Sequence, residues 1–316
     1  APRDLPDAPL TEALRGADSD ARFSFLGGDR MAAAAAVAPI IHNRDMAFMG
    51  FSEVLRHLGK IFSNLSTARR QLLERRPDCL ILIDYPSFNL KVAKTASKAG
   101  IPVFYYISPK IWAWKEWRIK AIKRYVSRMF SILPFERRFY ARHDFPIDYV
   151  GNPSVEEIDS LRPSLLPRDR FLAEHKLRDR PIVALLPGSR MGEIRCNLPV
   201  MAEAARRFPQ YRPVIAGAPG IPDEVYSAIC DYPVLCDSTF DLLANSRAAL
   251  VTSGTATLET ALIGVPQVVV YRSNGSRLAY NIMRRLIKVD YISLPNLIAD
   301  RQIIPELIPH NCPPDT

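Results

Sequence analysis

Leu185-Leu186-Pro187-Gly188-Ser189-Arg190 and Leu250-Val251-Thr252-Ser253-Gly254-Thr255-Ala256-Thr257-Leu258-Glu259 decide how this chain is read. In each, a short apolar run reads as a buried strand. A turn of small residues follows, and then a helix-like pattern. Such a unit aims the unpaired N–H groups and the positive dipole end of a helix at one point, which favours an anion. Two of them lie side by side at the carboxyl edge of a parallel sheet when their strands are neighbours. The expectation is a site for a diphosphate, and so for a nucleotide-linked substrate.

On both sides of these loops the alternation continues. After them and between them the pattern predicts strands over 181–186, 212–216, 233–236, 247–251 and 267–271, with helices over 197–207, 222–230, 239–245, 255–263 and 276–287. In the first half, strands are expected at 22–26, 79–84, 102–107, 129–133 and 148–150, the second of them fully buried. Helices fill 52–75, 88–99, 115–126 and 135–143. Repeated β–α units mean parallel sheets with helices on both faces. The fold class is therefore α/β, with two doubly wound, Rossmann-like parallel sheets facing a cleft. The polar stretch 154–180, with Pro163 and Pro167, reads as a linker between an N-terminal domain over 1–153 and a C-terminal domain over 181–316.

A chain of 316 residues is long enough for two such domains, and 48% hydrophobic with 24% charged residues is a globular composition. No apolar run approaches the roughly 20 residues that cross a bilayer, and Ala1 to Asp7 lack the apolar core of a signal peptide. The net charge of +9 serves solubility, or attracts nucleic acid, a phosphorylated substrate or anionic lipid. Five cysteines (79, 196, 230, 236 and 312) form no C-x-x-C pair and have no histidine at metal spacing. They point to a reducing compartment and to no metal site.

Several polar residues sit where chemistry is done. Asp84 leaves the most apolar strand and is followed by Tyr85-Pro86-Ser87-Phe88-Asn89. There it is either a general base, helped by burial, or the cap of the next helix. Arg190 is either a phosphate clamp with its two parallel N–H bonds or a surface arginine at a helix start. Glu259 is placed to accept from ribose hydroxyls or to face solvent. Asn296, in Ser293-Leu294-Pro295-Asn296-Leu297, either bonds backbone in a turn or reads a ligand. The apolar residues of 46–62 form a core helix or a surface that touches lipid, and Arg277 to Lys288 is a second basic amphipathic stretch of that kind. Trp112, Trp114 and Trp117 alternate with lysines and arginines, a pattern that stacks bases, walls a cleft or sits at a membrane interface. No nucleic-acid-binding motif accompanies it.

Nine segments in order resemble the lipid-A-disaccharide synthases, bacterial glycosyltransferases of GT-B architecture. They are Gly27-Gly28-Asp29-Arg30-Met31, Met46-Ala47-Phe48-Met49-Gly50-Phe51 and Ile83-Asp84-Tyr85-Pro86-Ser87-Phe88-Asn89-Leu90. Next come Tyr105-Tyr106-Ile107-Ser108-Pro109-Lys110-Ile111-Trp112-Ala113-Trp114, Leu133-Pro134-Phe135-Glu136 and Val150-Gly151-Asn152-Pro153. Leu186 to Arg190, Ser253 to Glu259 and Ile292 to Leu297 complete the set. The wording around Asp84 and Trp112 is most similar to the Bacteroidetes branch. The resemblance implies transfer of the sugar of UDP-2,3-diacylglucosamine to the 6-hydroxyl of 2,3-diacylglucosamine 1-phosphate, with inversion, no metal at the reaction centre and no cofactor. It implies that Asp84 assists the acceptor hydroxyl and that Arg190 is needed for activity. Gly188, Ser189, Arg190, Ser253, Gly254, Thr255, Glu259 and Asn296 then bind the donor. Phe88, Asn89, Ser108 and Trp112 wall the acceptor side. Phe48, Met49, Phe51, Leu55 and Leu58 face the membrane, at the cytoplasmic side of the inner membrane, and nucleic acid is no partner.

Three departures from the family pattern stand out. The family opens on an apolar strand and a Gly-Glu-Ala-Ser-Gly-Asp loop, for which Ala1 to Asp7 offer no counterpart, and it continues in helices well beyond Asn296. The expectation is a chain short at both ends, with an open edge in its first sheet. Many relatives carry a second acid where Ser87 stands. The alternatives are a UDP-N-acetylglucosamine 2-epimerase or other GT-B sugar enzyme, and a non-catalytic protein that binds lipid or nucleic acid.

Overall fold

Apolar runs of four to seven residues become parallel strands, and the amphipathic stretches between them become the crossover helices. The computed structural model describes residues 7–45, 57–272 and 290–307, which divide between Pro153 and Ser154 into two units.

The first unit runs α1 (Asp7–Ala17), β1 (Leu26–Gly27), α2 (Asp29–Ala35), β2 (Ile41–His42), α3 (Leu58–Arg75), β3 (Leu80–Ile83), α4 (Pro86–Lys98), β4 (Val103–Tyr106), α5 (Ile119–Tyr125), β5 (Arg128–Ser131), α6 (Glu136–Ala141) and β6 (Asp148–Tyr149). Strands β3, β4, β5 and β6 form one parallel sheet in that order, and β1 pairs with β2 in a separate two-stranded sheet. The expected strand at 22–26 is reduced to two paired residues. Among the described residues β3 pairs on one side only. Its expected full burial is accordingly not found: Leu82 is buried while Leu80, Ile81 and Ile83 are half-buried. Helix α4 has Pro86 at its first turn, where a missing N–H is harmless, and Phe88, Val92 and Ala96 recur four apart to place one stripe in the core. That core continues through Val103, Tyr105, Ile122, Met129 and Tyr140.

The second unit runs α7 (Pro153–Leu161), α8 (Arg168–Glu174), β7 (Ile182–Leu186), α9 (Met191–Arg206), β8 (Arg212–Gly217), α10 (Glu224–Ser227), β9 (Val234–Cys236), α11 (Thr239–Ala244), β10 (Ser246–Thr252), α12 (Thr255–Ile263), β11 (Gln267–Val270), α13 (Leu294–Ala299) and β12 (Glu306–Leu307). All six strands are parallel in the order β12-β11-β10-β7-β8-β9. The direction of progression reverses between β7 and β10, which makes their carboxyl ends a topological switch point.

Two expectations need correction here. The segment 154–180 is not a linker. It holds α7 and α8, and Phe171 and Leu172 enter the same core as Ile182, Leu242 and Val251. Its prolines sit where helical turns begin, Pro163 in a 3-10 turn and Pro167 just before α8. Helix α9 starts at Met191 rather than 197, and Glu193 in its first turn reaches back to accept the backbone N–H of Ser189, tying the loop to the helix. Pro199 lies inside the helix and does not open it. The stretch 276–287 lies outside the described residues, as do Phe48, Met49, Phe51 and Leu55.

Candidate active site

Register places the two glycine loops together. Strands β7 and β10 are neighbours, with Leu186 opposite Val251, so Pro187-Gly188-Ser189-Arg190 and Ser253-Gly254-Thr255 leave the same sheet edge side by side. The first loop closes on Glu193. One carboxylate oxygen accepts the Ser189 N–H at 3.1 Å and the other accepts from Arg190 Nη1 at 3.0 Å. Gly188 has φ +120, and a Cβ there would stand 2.6 Å from Glu193 Cβ. Both conditions require glycine. Gly188→Ala is expected to destabilise the chain by about 2–4 kcal/mol, since backbone strain and overpacking coincide. A urea midpoint equal to the parent's would show that the loop relaxes freely.

Beneath the loops lie polar residues that the sequence reading passed over. Asn197 is fully buried; its amide donates to the Glu193 carbonyl at 2.9 Å, and its oxygen accepts the Arg272 N–H at 2.9 Å. Thr252, at the root of the second loop, is buried, and its hydroxyl has no hydrogen-bond partner among the described residues. Ser253 is half-buried and donates to the Ile292 carbonyl at 3.0 Å. Gly254, Thr255, Ser189 and Arg190 are exposed at the edge.

Two expected ligand contacts are placed otherwise. Glu259 is 1% exposed and engaged inside the protein rather than facing solvent. Asn296 is fully buried. It donates to the Ile304 carbonyl and to Glu306 Oε1, both at 2.8 Å, and it accepts the N–H groups of Ile303 and Ile304. Its amide is used within the fold, so it braces the segment rather than reading a ligand. Glu306 is the hub of that brace, because it also accepts from the Ile292 and Ser293 N–H groups and the Ser293 hydroxyl.

In the first unit, the carboxyl ends of β3 and β4 carry left-handed backbone at Asp84 (φ 43), Tyr85 (φ 41) and Ile107 (φ 63). Strain of this kind gathers at functional sites, and a β-branched residue such as Ile107 rarely adopts it. The turn at Asp84 is held from behind. The Asp84 carbonyl accepts from the Tyr105 hydroxyl at 2.5 Å and from Asn89 Nδ2 at 2.7 Å, and Asn89 also donates to the Ile83 carbonyl. Burial pushes the Tyr105 hydroxyl far up, which keeps it a donor. The Asp84 side chain itself is exposed, so the expectation of a buried base is not met.

The expected acceptor wall is also rearranged. Phe88 belongs to the core beneath α4, because its position in the apolar stripe points it inward. Asn89 is the brace just described. Ser108 is buried; its hydroxyl donates to Glu136 Oε2 at 2.6 Å, and the indole N–H of half-buried Trp112 donates to Oε1 at 2.8 Å. Burial pushes the Glu136 carboxyl up to about 7, against the lowering that these two donors supply. Outside the turn, Arg118 donates to the Ser87 hydroxyl at 2.8 Å, and burial lowers its pKa. Leu58 and Phe62 are exposed one turn apart on α3. Among the described residues no helix is long and apolar enough to cross a membrane.

A family model described as lipid-A-disaccharide synthetase matches residues 4–316. A lipid-A-disaccharide synthase of Acidobacterium capsulatum is 41% identical over 95% of this chain and 78% of its own length. One of Myxococcus xanthus is 41% identical over 98% and 81%. Among solved structures, UDP-GlcNAc 2-epimerase from Neisseria meningitidis bound to UDP-GlcNAc aligns with a TM-score of 0.58 at 14% identity, over 95% of this chain and 87% of that one. The structural likeness places both units in the GT-B class of α/β folds. With the matched family and its relatives, the chain belongs to the lipid-A-disaccharide synthases, the glycosyltransferases of lipid A biosynthesis.

Proposed function

We propose that the chain transfers the glucosamine unit of UDP-2,3-diacylglucosamine to the 6-hydroxyl of 2,3-diacylglucosamine 1-phosphate, releasing UDP. The observation that carries this reading is the pairing of two glycine loops at the in-register ends of β7 and β10, in a chain of this family. The Ser189 and Thr255 ends of the loops, with Arg190, bind the diphosphate. They offer helix N-termini and a guanidinium to charge that grows as UDP departs. Asn197, Asn296 and Glu306 keep that edge in place. On the first unit, Asp84 accepts the proton of the attacking hydroxyl.

Both substrates carry acyl chains, and the exposed pair Leu58 and Phe62 on a +9 chain suits peripheral contact with an anionic leaflet. The same surface argues against an epimerase of soluble sugars, which has no use for it. The test is a transfer assay with the two acylated substrates, read beside the melting temperature with and without UDP. Disaccharide product and a UDP-dependent rise are expected. A chain that gives neither product nor rise does not have this function.

A further inference from the structure

Strands β4 and β5 and helix α6 meet at a buried carboxylate to which no role has yet been given. Glu136 is 1% exposed, at the first turn of α6. Its two oxygens take separate donors from one loop: the Ser108 hydroxyl and, four residues on, the Trp112 indole N–H. The 2.6 Å separation to Ser108 is in the range of a charge-assisted bond. One turn further along α6, the Tyr140 hydroxyl donates to the Pro109 carbonyl at 2.9 Å, and Tyr140 is fully buried. A single helix face thus grips the loop 107–112 at three points. That loop opens on the left-handed Ile107, a conformation that persists only when its surroundings over-determine it. Trp112 also packs edge-on against Phe135, at the residue before α6.

We propose that Glu136 is a positioning residue for the acceptor, holding the loop 107–112 in its strained form through Ser108 and Trp112. The inference rests on the reading that this sheet edge receives the acceptor. Leaving a carboxylate inside the protein is unfavourable unless its lone pairs are used, and among the described residues the two side chains that donate to it, Ser108 and Trp112, both belong to the loop, with the Leu133 backbone beside them. Removing the carboxylate frees both ends of the loop at once. The donors of β7 and β10 are untouched, so the effect falls on the acceptor and spares UDP. The groups that bear on Glu136 are Lys110 from the loop and Tyr140 from its own helix, with Tyr105 of β4 behind Tyr140. With its carboxyl raised to about 7, the charge beside the Trp112 indole changes within the neutral range.

The experiment uses the full chain and two readouts. Tryptophan emission is followed from about pH 5 to about pH 9 in the parent, Glu136→Gln and Trp112→Phe. The parent is expected to titrate with a midpoint near 7, and both variants to lose that transition. Initial rates are then measured against acceptor concentration. Glu136→Ala is expected to raise the acceptor KM by about tenfold or more, since a small displacement of a positioning group is costly. It should leave the UDP-dependent melting shift as in the parent, and Glu136→Gln, which can still bond both Ser108 and Trp112, should recover most of the loss. If Glu136→Ala fails to fold, Ser108→Ala and Trp112→Phe each remove one grip and are expected to raise the acceptor KM.

A transition that persists in Glu136→Gln overturns the assignment, as does a parental acceptor KM in Glu136→Ala or in both loop variants. A parent that titrates as expected but makes no disaccharide overturns the proposed function instead. It also removes any acceptor for the loop to serve.

Discussion

Replacing Arg190 by alanine is expected to abolish the rise in melting temperature that UDP gives the parent chain. A ligand at a hundred times its dissociation constant stabilises by about 2.7 kcal/mol. Hydrogen bonds to a charged group contribute about 1.5–3 kcal/mol each, and a guanidinium can give a phosphate two of them. The neighbourhood makes the loss larger. Glu193 lies against the loop, bonded to the Ser189 N–H and to Arg190. While Arg190 is present, its positive charge offsets that carboxylate, and its side chain stays exposed enough for other N–H groups to meet a ligand. Without it, Glu193 becomes an uncompensated anion at the place proposed for the diphosphate. The dissociation constant for UDP should therefore rise by at least about a hundredfold, from the bonds alone. Arg190→Lys keeps the charge and loses the fork, so it should fall between the two. An Arg190→Ala chain that melts with the parent's UDP shift would take this residue out of the site.

What the sequence made legible, and what it hid, separates along one line. The strand–turn–helix units were readable because everything that defines them is local. Apolar residues without interruption, then Gly188-Ser189 or Ser253-Gly254, force a buried strand into a helix start. That two such strands are neighbours follows from the reversal of strand order at β7 and β10. The polar residues that hold the loops were not readable, because their partners are distant in the chain. Glu136 meets Ser108 and Trp112 from 28 and 24 residues away, and Asn197 meets Arg272 from 75. Nothing in a window of ten residues distinguishes Glu136 from a solvated helix glutamate.

The resemblance set Phe88 and Ser108 in the acceptor wall, whereas Phe88 is packed in the core and Ser108 is buried against Glu136, partners that lie far from them in sequence or on the inner face of α4. Asn296 was ambiguous for a related reason. A polar residue in an apolar segment is either a brace or a reader, and the four bonds it makes inside the fold identify the brace. The stretch 154–180 was read from its prolines, whereas Phe171 and Leu172 carried the better signal.

Asp84→Asn should leave UDP binding nearly intact and cripple transfer, by about a hundredfold to ten-thousandfold if the carboxylate is the general base. Asparagine is the informative replacement because of the backbone. Asp84 sits at φ 43 and Tyr85 at φ 41, and Asn and Asp adopt that region at lower cost than most residues with a Cβ. Asp84→Ala therefore mixes two effects, loss of the acid and strain in the turn, while Asp84→Asn removes the proton acceptor alone. The brace behind the turn supports the distinction, since Tyr105 and Asn89 bond to the carbonyl of residue 84 and not to its side chain. Both bonds survive in the asparagine variant, so the turn should keep its shape. Exposure of the carboxylate adds a further constraint. A base open to water before the acceptor arrives must be desolvated by the acceptor itself, so it gains strength in the bound complex and not in the free chain. The defect of Asp84→Asn should accordingly fall on kcat, with the acceptor KM little changed. An asparagine variant that transfers at the parental rate would show that the acceptor hydroxyl loses its proton to another group, and Asp84 would then be only a residue of the left-handed turn before α4.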